Sequence, residues 1–297
     1  MKIAVVDTGS NTIKMKIYEC EVLPYYKLKE IYSEVKNTKL ISYIKNDVLS
    51  PEGIMLLCQT LTELKNHAEN IGYDIFSIFA TASLRRTKNV REIIDTVYSF
   101  CNEKIDLVSG EDEAFFSFSG VKNTTDTFPD NCILLDMGGG STEIVICENQ
   151  EKIYSKSMNF GSLSLFLVCK NYDEMKDIVI RELKIALPSQ YKNENSVLVG
   201  GTALAINKLY MHFFKDAEKH IMDYDKLLQM YNILKQDTEK NKALLSKLVP
   251  HRTTTVIPGL SAYLVIFGEC GVKSISVSTK GIREGYVIEK ILKGQNR

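Results

Sequence analysis

The sequence has no net charge: Lys plus Arg and Asp plus Glu each number 37 in 297 residues. A global basic field that would draw in a polyanion is therefore excluded, and any anionic ligand has to be held by local groups. Histidine is scarce, with four residues at 67, 212, 220 and 251. The seven cysteines, at 20, 58, 101, 132, 147, 169 and 270, contain no CxxC pair. No zinc spacing joins them to the histidines. They read as buried small hydrophobes in a reducing compartment. No apolar run approaches membrane-spanning length. The opening "MKIAVVD" is interrupted by Asp7 and is too short for a signal peptide. A cytoplasmic location is expected, with no membrane and no nucleic-acid partner. No low-complexity linker occurs. A P-loop is absent, and "GGGSTE" (138–143) is not a dinucleotide GxGxxG.

What is present is the mix of a globular protein, 44% apolar and 25% charged, in a chain long enough for about two domains. "IAVV" (3–6) is a β-branched run, and "IKMKIYE" (13–19) alternates as a half-buried strand does. Pro51 opens a stretch with Ile54, Leu57, Leu61 and Leu64 at helical spacing. Strand-like 75–81 and 104–109 alternate with helix-like 89–100 and 111–121. Further on, 171–187 and 223–249 read as charged helices, and 196–210 as strand, Gly-Gly-Thr turn and helix. A buried helix is expected after Pro258-Gly259, then a strand, a turn and a last helix within 274–292. This alternation predicts an α/β protein with a largely parallel central sheet.

The chain repeats itself once. "IAVVDTGSNTIKMKIYE" (3–19) and "CILLDMGGGSTEIVICE" (132–148) align without a gap. Asp7 matches Asp136, Gly9 matches Gly138, and Glu19 matches Glu148. A strand–turn–strand unit repeated at this distance implies two domains of like topology. Lys14 and Glu143 fall at matching positions with opposite charge. Glycines let backbone amides approach an anion, and an aspartate beside that anion is useful through a divalent cation. One such turn is an ordinary Asp/Gly/Ser/Asn turn; two in register point to a phosphate site.

Other segments carry chemistry or simple structure. "ATASLRRTKN" (80–89) offers Arg85 to a phosphate, while Arg86 reads as a solvated helix start. "SGEDEA" (109–114) places three acids at a helix start, where Ser109 can cap, and Glu113 is a candidate general base. "VGGTA" (199–203) either holds a phosphate or packs closely on the sheet. Arg252, Lys280 and Arg283 are anion contacts or surface charge.

Together "DTGSNTIK", "ATASLRRTKN", "SGEDEA", "LLDMGGGSTE", "VGGTA", "HRTTTVIPG" and "STKGIREG" resemble the exopolyphosphatase and guanosine pentaphosphate phosphohydrolase (Ppx/GppA) family of the actin-like ATPase superfamily. The resemblance spans almost the whole chain, in its short two-domain form without a helical HD-like carboxy-terminal domain. It implies two ribonuclease-H-like domains with an interdomain active-site cleft: 1–119, joined by a C-terminal helix at about 283–297, and 120–282. It implies Glu113 as the base, and Asp136 and Glu143 as ligands of Mg2+ or another divalent cation. Gly138, Gly139, Gly140, Ser141 and Thr142 would hold the terminal phosphate, with Gly9, Ser10, Asn11, Lys14 and Arg85 completing the site. Lys14 stands where arginine is usual, Asp112 where glutamate is usual, and Thr254 where an acid often follows the arginine. A lysine cannot fork onto two phosphate oxygens.

The expected activity is hydrolysis of a terminal phosphoanhydride, on inorganic polyphosphate or on guanosine pentaphosphate. Two other readings are an actin-fold phosphotransferase and a non-catalytic sensor of polyphosphate or alarmone. No protein partner is implied, and a homodimer is compatible with the sequence.

Overall fold

The computed structural model describes residues 1–21, 26–125, 127–187, 191–215, 218 and 220–294. They form two compact units, Met1–Thr124 with Ile282–Arg297, and Thr125–Gly281. The last residues of the expected terminal helix, 295–297, lie outside the described residues.

In the first unit, β1 (Lys2–Thr8), β2 (Ile13–Glu21) and β3 (Lys27–Lys36) form an antiparallel meander. A two-residue ladder, β4 (Ile44–Lys45) and β5 (Val48–Leu49), leads into α1 (Pro51–Ile71). Then come β6 (Ile75–Ala80), α2 (Ala82–Arg85), α3 (Val90–Cys101), β7 (Ile105–Leu107) and α4 (Gly110–Lys122). The sheet order is β3-β2-β1-β6-β7, with β6 and β7 parallel to β1. The short turn after β1 permits an antiparallel neighbour, whereas the parallel partners need helical crossovers. The sheet is therefore mixed, which corrects the largely parallel one expected, and its order is ribonuclease-H-like. Ile3–Val6 are fully buried because both faces of the central strand are covered. Ser50 caps α1 by accepting from Gly53 N, and Gly72, at φ 82°, ends it. Ile54, Leu57, Leu61 and Leu64 of α1 pack with Ile13, Met15 and Ile78 on one face of the sheet.

The second unit repeats the plan. Strands β8 (Cys132–Met137), β9 (Thr142–Glu148) and β10 (Glu151–Met158) form its meander. Helices α5 (Ser162–Val168) and α6 (Tyr172–Ala186) precede β11 (Asn195–Val199) and α7 (Gly200–Phe213). The chain continues as β12 (Ile221–Asp223), α8 (Tyr224–Leu234), α9 (Glu239–Leu248), α10 (Val256–Cys270) and β13 (Ser274–Val277). The order β10-β9-β8-β11-β13-β12 is the first unit's order plus an antiparallel edge strand. Helix α10 is apolar nearly all round and buried along most of its length. It begins at Val256, so Pro258 and Gly259 lie inside its first turn and not ahead of it. Proline is tolerated there because its missing N–H would have no helical partner. A Cβ on Gly259 would fall 2.5 Å from Thr202 Cγ2, so the glycine lets α10 meet α7.

The chain then returns to the first unit as α11 (Ile282–Tyr286), continued by a π-helix over Val287–Leu292. Tyr286 and Val287 join Ile3, Val5, Tyr18, Phe79 and Phe116 in a core on the other sheet face. A Cβ on Gly285 would fall 1.8 Å from the Phe116 carbonyl oxygen, so only glycine permits the crossing with α4. All seven cysteines are free thiols. Among the described residues, no helix is long and apolar enough to cross a membrane.

Candidate active site

The two hairpins are built to one pattern. In the first, Asp7 stands opposite Lys14 and Gly9 N donates to Thr12 O at 3.1 Å. In the second, Asp136 stands opposite Glu143 and Gly138 N donates to Ser141 O at 3.0 Å. Residues directly opposite in an antiparallel pair share a sheet face. The first unit thus sets an acid beside a base, and the second sets two acids side by side.

In the second unit the turn is held from behind. Ser162 N donates to Gly138 O, and Leu163 N and Ser164 N both donate to Gly139 O. The first amides of α5 are thereby satisfied by the glycine turn itself. A Cβ on Gly161 would fall 2.6 Å from Gly138 O. The backbones approach that closely because residue 161 is glycine; none of Gly138, Gly139 and Gly140 has the positive φ found at Gly72, Gly200 and Gly271. Gly140 faces open space. Thr142 Oγ1 donates to Phe160 O, so its hydroxyl braces the turn, and Ser141 is buried beside it. Ser157 Oγ, across the ladder on β10, donates to Glu143 Oε1 at 2.9 Å.

The "VGGTA" glycines are the first residues of α7, and their smallness has a specific use. At Gly200, with φ 89°, a Cβ would lie 2.7 Å from Asp136 Oδ1. At Gly201 it would lie 2.3 Å from Arg252 Nη2. The segment therefore packs a helix start directly against a carboxylate and a guanidinium. Arg252 donates to Thr202 Oγ1 at 3.1 Å, and among the described residues no acid pairs with it. Burial lowers its pKa from the usual arginine value. Tyr263 is fully buried nearby; burial first, then the negative charge of Asp136, pushes its hydroxyl far above the usual tyrosine range. It is a neutral hydroxyl at any physiological pH.

In the first unit Ser109 caps α4, accepting from Asp112 N at 3.0 Å and donating to Asp112 Oδ2 at 2.8 Å. This fixes the first turn, where Glu113 is only 5% exposed. Arg85, at the end of α2, donates through Nη1 both to Val108 O and to Glu113 Oε1. The expected base and the expected phosphate contact are thus one ion pair. Arg86 is exposed. The turn after β1 is strapped by the segment that follows β3: Lys39 N donates to Asn11 O and Ile41 N to Ser10 O. Arg283 Nη1 pairs with Asp7 Oδ2 at 3.1 Å, so Asp7 is neutralised within its own unit while Asp136 faces a second acid. The neighbouring Glu284 is fully buried, taking Tyr18 Oη at 2.5 Å and Lys16 Nζ at 3.1 Å. Desolvation, then the Glu284 charge, raises the Tyr18 hydroxyl well above its usual value. Lys280 lies in the loop before α11, where its amide bonds Ser278 Oγ.

Gly161, Ser157 and Tyr263 support the second unit's turn but carry no motif signal, and Glu284, inside "STKGIREG", is not singled out by that motif. The one available clue is "NFGSLSL" (159–165), a glycine–serine step after an alternating strand.

Comparison with known proteins agrees with this architecture. A curated guanosine-5'-triphosphate,3'-diphosphate pyrophosphatase of Photobacterium profundum is 24% identical over 98% of this chain and 59% of its own length. A bifunctional 3-dehydroquinate synthase/phosphatase of Fusobacterium nucleatum is 29% identical over 97% of this chain and 46% of its own. The chain thus spans about half the length of these relatives. The crystal structure of an exopolyphosphatase from Cytophaga hutchinsonii superposes with a TM-score of 0.86 at 18% identity, covering 99% of this chain and 98% of that one. An Aquifex aeolicus Ppx/GppA family structure gives 0.82 at 20% identity, with the same coverage. At such identities the superpositions establish the fold. The sequence model of one family matches residues 25–294, and the chain belongs to that family, the Ppx/GppA phosphatases.

Proposed function

We propose that the chain hydrolyses a terminal phosphoanhydride, with inorganic polyphosphate as substrate and orthophosphate as product. One observation carries this reading: Asp136 and Glu143 are direct partners across a glycine turn, in a hairpin whose twin carries Lys14 in place of the second acid. Two adjacent carboxylates repel each other unless a cation lies between them. Their hard oxygen donors suit magnesium or a similar divalent ion. Ser157 fixes one of those carboxylates, as outer partners of metal ligands do. When bound, the cation supplies neutralisation of charge on the transferring phosphoryl group and the leaving oxygen.

The chain's own residues do the rest. Glu113 orients a water and takes its proton on a carboxylate oxygen as the water attacks phosphorus in line with the bridging oxygen that leaves. Arg85 holds Glu113 and offers its remaining N–H groups to phosphate oxygens. Within the first unit, Lys14, Ser10, Asn11 and the Gly9 turn offer donors to phosphate oxygens. Within the second, the Gly138–Ser141 turn and the Arg252 charge do the same. Thr142 supports that turn. The seven free thiols fit a reducing, cytoplasmic setting.

A second reading, on guanosine pentaphosphate, is favoured by the name of the Photobacterium relative; the bond broken is of the same kind. The test is a phosphate-release panel over polyphosphate lengths, guanosine pentaphosphate and ATP, with magnesium. Release from polyphosphate supports the first reading, and release from the nucleotide alone supports the second. Binding of either without turnover makes the chain a sensor.

A further inference from the structure

The first unit contains a second set of metal-ligating groups, on the opposite sheet face from Lys14. Met15 and Ile13 pair with Glu34 and Lys36 of β3, whereas Lys14 pairs with Val35. Side chains alternate between faces along a strand, so Glu34 and Lys36 face the α1 side. There they meet Glu63 and His67, which lie four residues apart on one face of that helix. One donor atom from each of Glu34, Glu63 and His67 lies within 4.8 Å of the others. His67 Nδ1 is 2.8 Å from Glu34 Oε2, and Tyr32 Oη donates to that same oxygen at 2.9 Å. The position between the carboxylates already holds a cation: Lys36 Nζ is 2.9 Å from Glu34 Oε1 and 2.5 Å from Glu63 Oε1.

We propose that Glu34, Glu63 and His67 form a binding site for a divalent transition-metal ion of the zinc class, separate from the phosphate chemistry. One imidazole and two carboxylates are a zinc donor set, with a fourth place for water; magnesium prefers oxygen alone. Two ligands stand on a 21-residue helix, which makes the set rigid. The two carboxylates outnumber the single ammonium, leaving net negative charge at the site. The metal displaces Lys36, whose ion pairs are partly open to solvent, the Glu63 side chain being 51% exposed. Ligation requires the neutral imidazole with its proton on Nε2. The ion pins the end of β3 to α1, immediately before the 39–41 segment that straps the Ser10–Asn11 turn. It would act as a clamp on that turn, outside the reacting atoms.

The test is calorimetric titration of the full chain with zinc chloride, in excess magnesium so that Asp136 and Glu143 do not compete. One saturable site is expected in the wild type. His67→Ala, at a half-exposed position, should weaken it by at least the roughly tenfold that even an outer partner of a metal ligand is worth. Lys36→Met should tighten it about fivefold, by removing the competing surface cation. Undiminished binding in His67→Ala, or no saturable uptake in both wild type and Lys36→Met, overturns the proposal. No phosphate release is measured, so this outcome is independent of the proposed activity.

Discussion

Arg85 donates a hydrogen bond to the carboxylate of Glu113, a group that is only 5% exposed. The pair links α2 to the first turn of α4, and it joins the proposed phosphate contact to the proposed base. Glu113→Gln keeps the shape and the hydrogen bond but loses the proton acceptor. It should lower kcat by about 10²- to 10⁴-fold, the usual worth of a positioned general base. Phosphate release at saturating polyphosphate measures this, and near-wild-type turnover would reject Glu113 as the base.

Removing the other partner has a different signature. Arg85→Ala leaves a buried carboxylate without its cation, and a quarter of the arginine side chain is exposed. A fully buried broken pair costs about 3–5 kcal/mol; with this exposure a loss of roughly 1–3 kcal/mol is expected. Adding Glu113→Gln to Arg85→Ala should restore part of that loss, because the stranded charge is gone. Urea unfolding of the two single variants and the double variant forms the cycle. Strict additivity would mean the pair is not coupled in solution.

Ser157 donates to Glu143 from the neighbouring strand. If Asp136 and Glu143 hold the cation, Ser157→Ala should weaken its binding about 10- to 100-fold. Manganese titration followed by electron paramagnetic resonance reads this without turnover. Glu143→Gln should weaken binding more than Ser157→Ala does. An equal affinity in all three proteins would remove these carboxylates from the metal site.

Two glycines can be set against each other. A Cβ on Gly285 meets the Phe116 carbonyl oxygen at 1.8 Å, backbone that cannot step aside, whereas a Cβ on Gly140 meets nothing within 4 Å. Gly285→Ala should destabilise by about 3 kcal/mol, the upper range for overpacking. Gly140→Ala should stay within about 0.5 kcal/mol. Any loss of activity in Gly140→Ala would then report on the proposed phosphate contact of this turn and not on folding. Denaturant midpoints and phosphate release on both variants decide it.

The legible parts of this fold are those where side-chain period and turn chemistry agree. "IAVVDTGSNTIKMKIYE" shows both an alternating strand and a polar turn, and its repeat at 132–148 has the same register in the structure. Ser109 reads as a cap and is one. Strand β3, "KLKEIYSEVK", gives no comparable signal, because an edge strand wet on much of its surface need not alternate cleanly. Helix α5, "SLSLFLV", is too short for a helical period and leaves Phe166, Leu167 and Val168 exposed. The glycines of "VGGTA" are recognisable as a turn, but their partners Asp136 and Arg252 are distant in sequence. Spacing cannot show that Arg85 meets Glu113, or that Arg283 meets Asp7, since each pair is made by tertiary packing. Motifs named the residues; only packing shows which charges neutralise each other inside a unit.

Acid should unfold the first unit partly through Glu34. Burial pushes its carboxyl up, but hydrogen bonds from His67, Lys36 and Tyr32 outweigh that and bring it from 4.5 down to about 2. The folded value lies below the unfolded one, so the carboxylate stabilises the fold above about pH 4.5. That contribution is lost as pH falls from there towards 2. Lys36 and Tyr32 keep their protons throughout, both being raised by neighbouring carboxylates. Glu63, the remaining acid facing the group, is half exposed and shares Lys36. Glu34→Gln should therefore cost about 1–2 kcal/mol at neutral pH, after discounting for solvent screening of its partners. The difference from wild type should shrink between pH 4.5 and 2. Urea unfolding at several pH values gives the curve. A difference that stays constant down to pH 2 would show that the carboxylate is not held by this cluster.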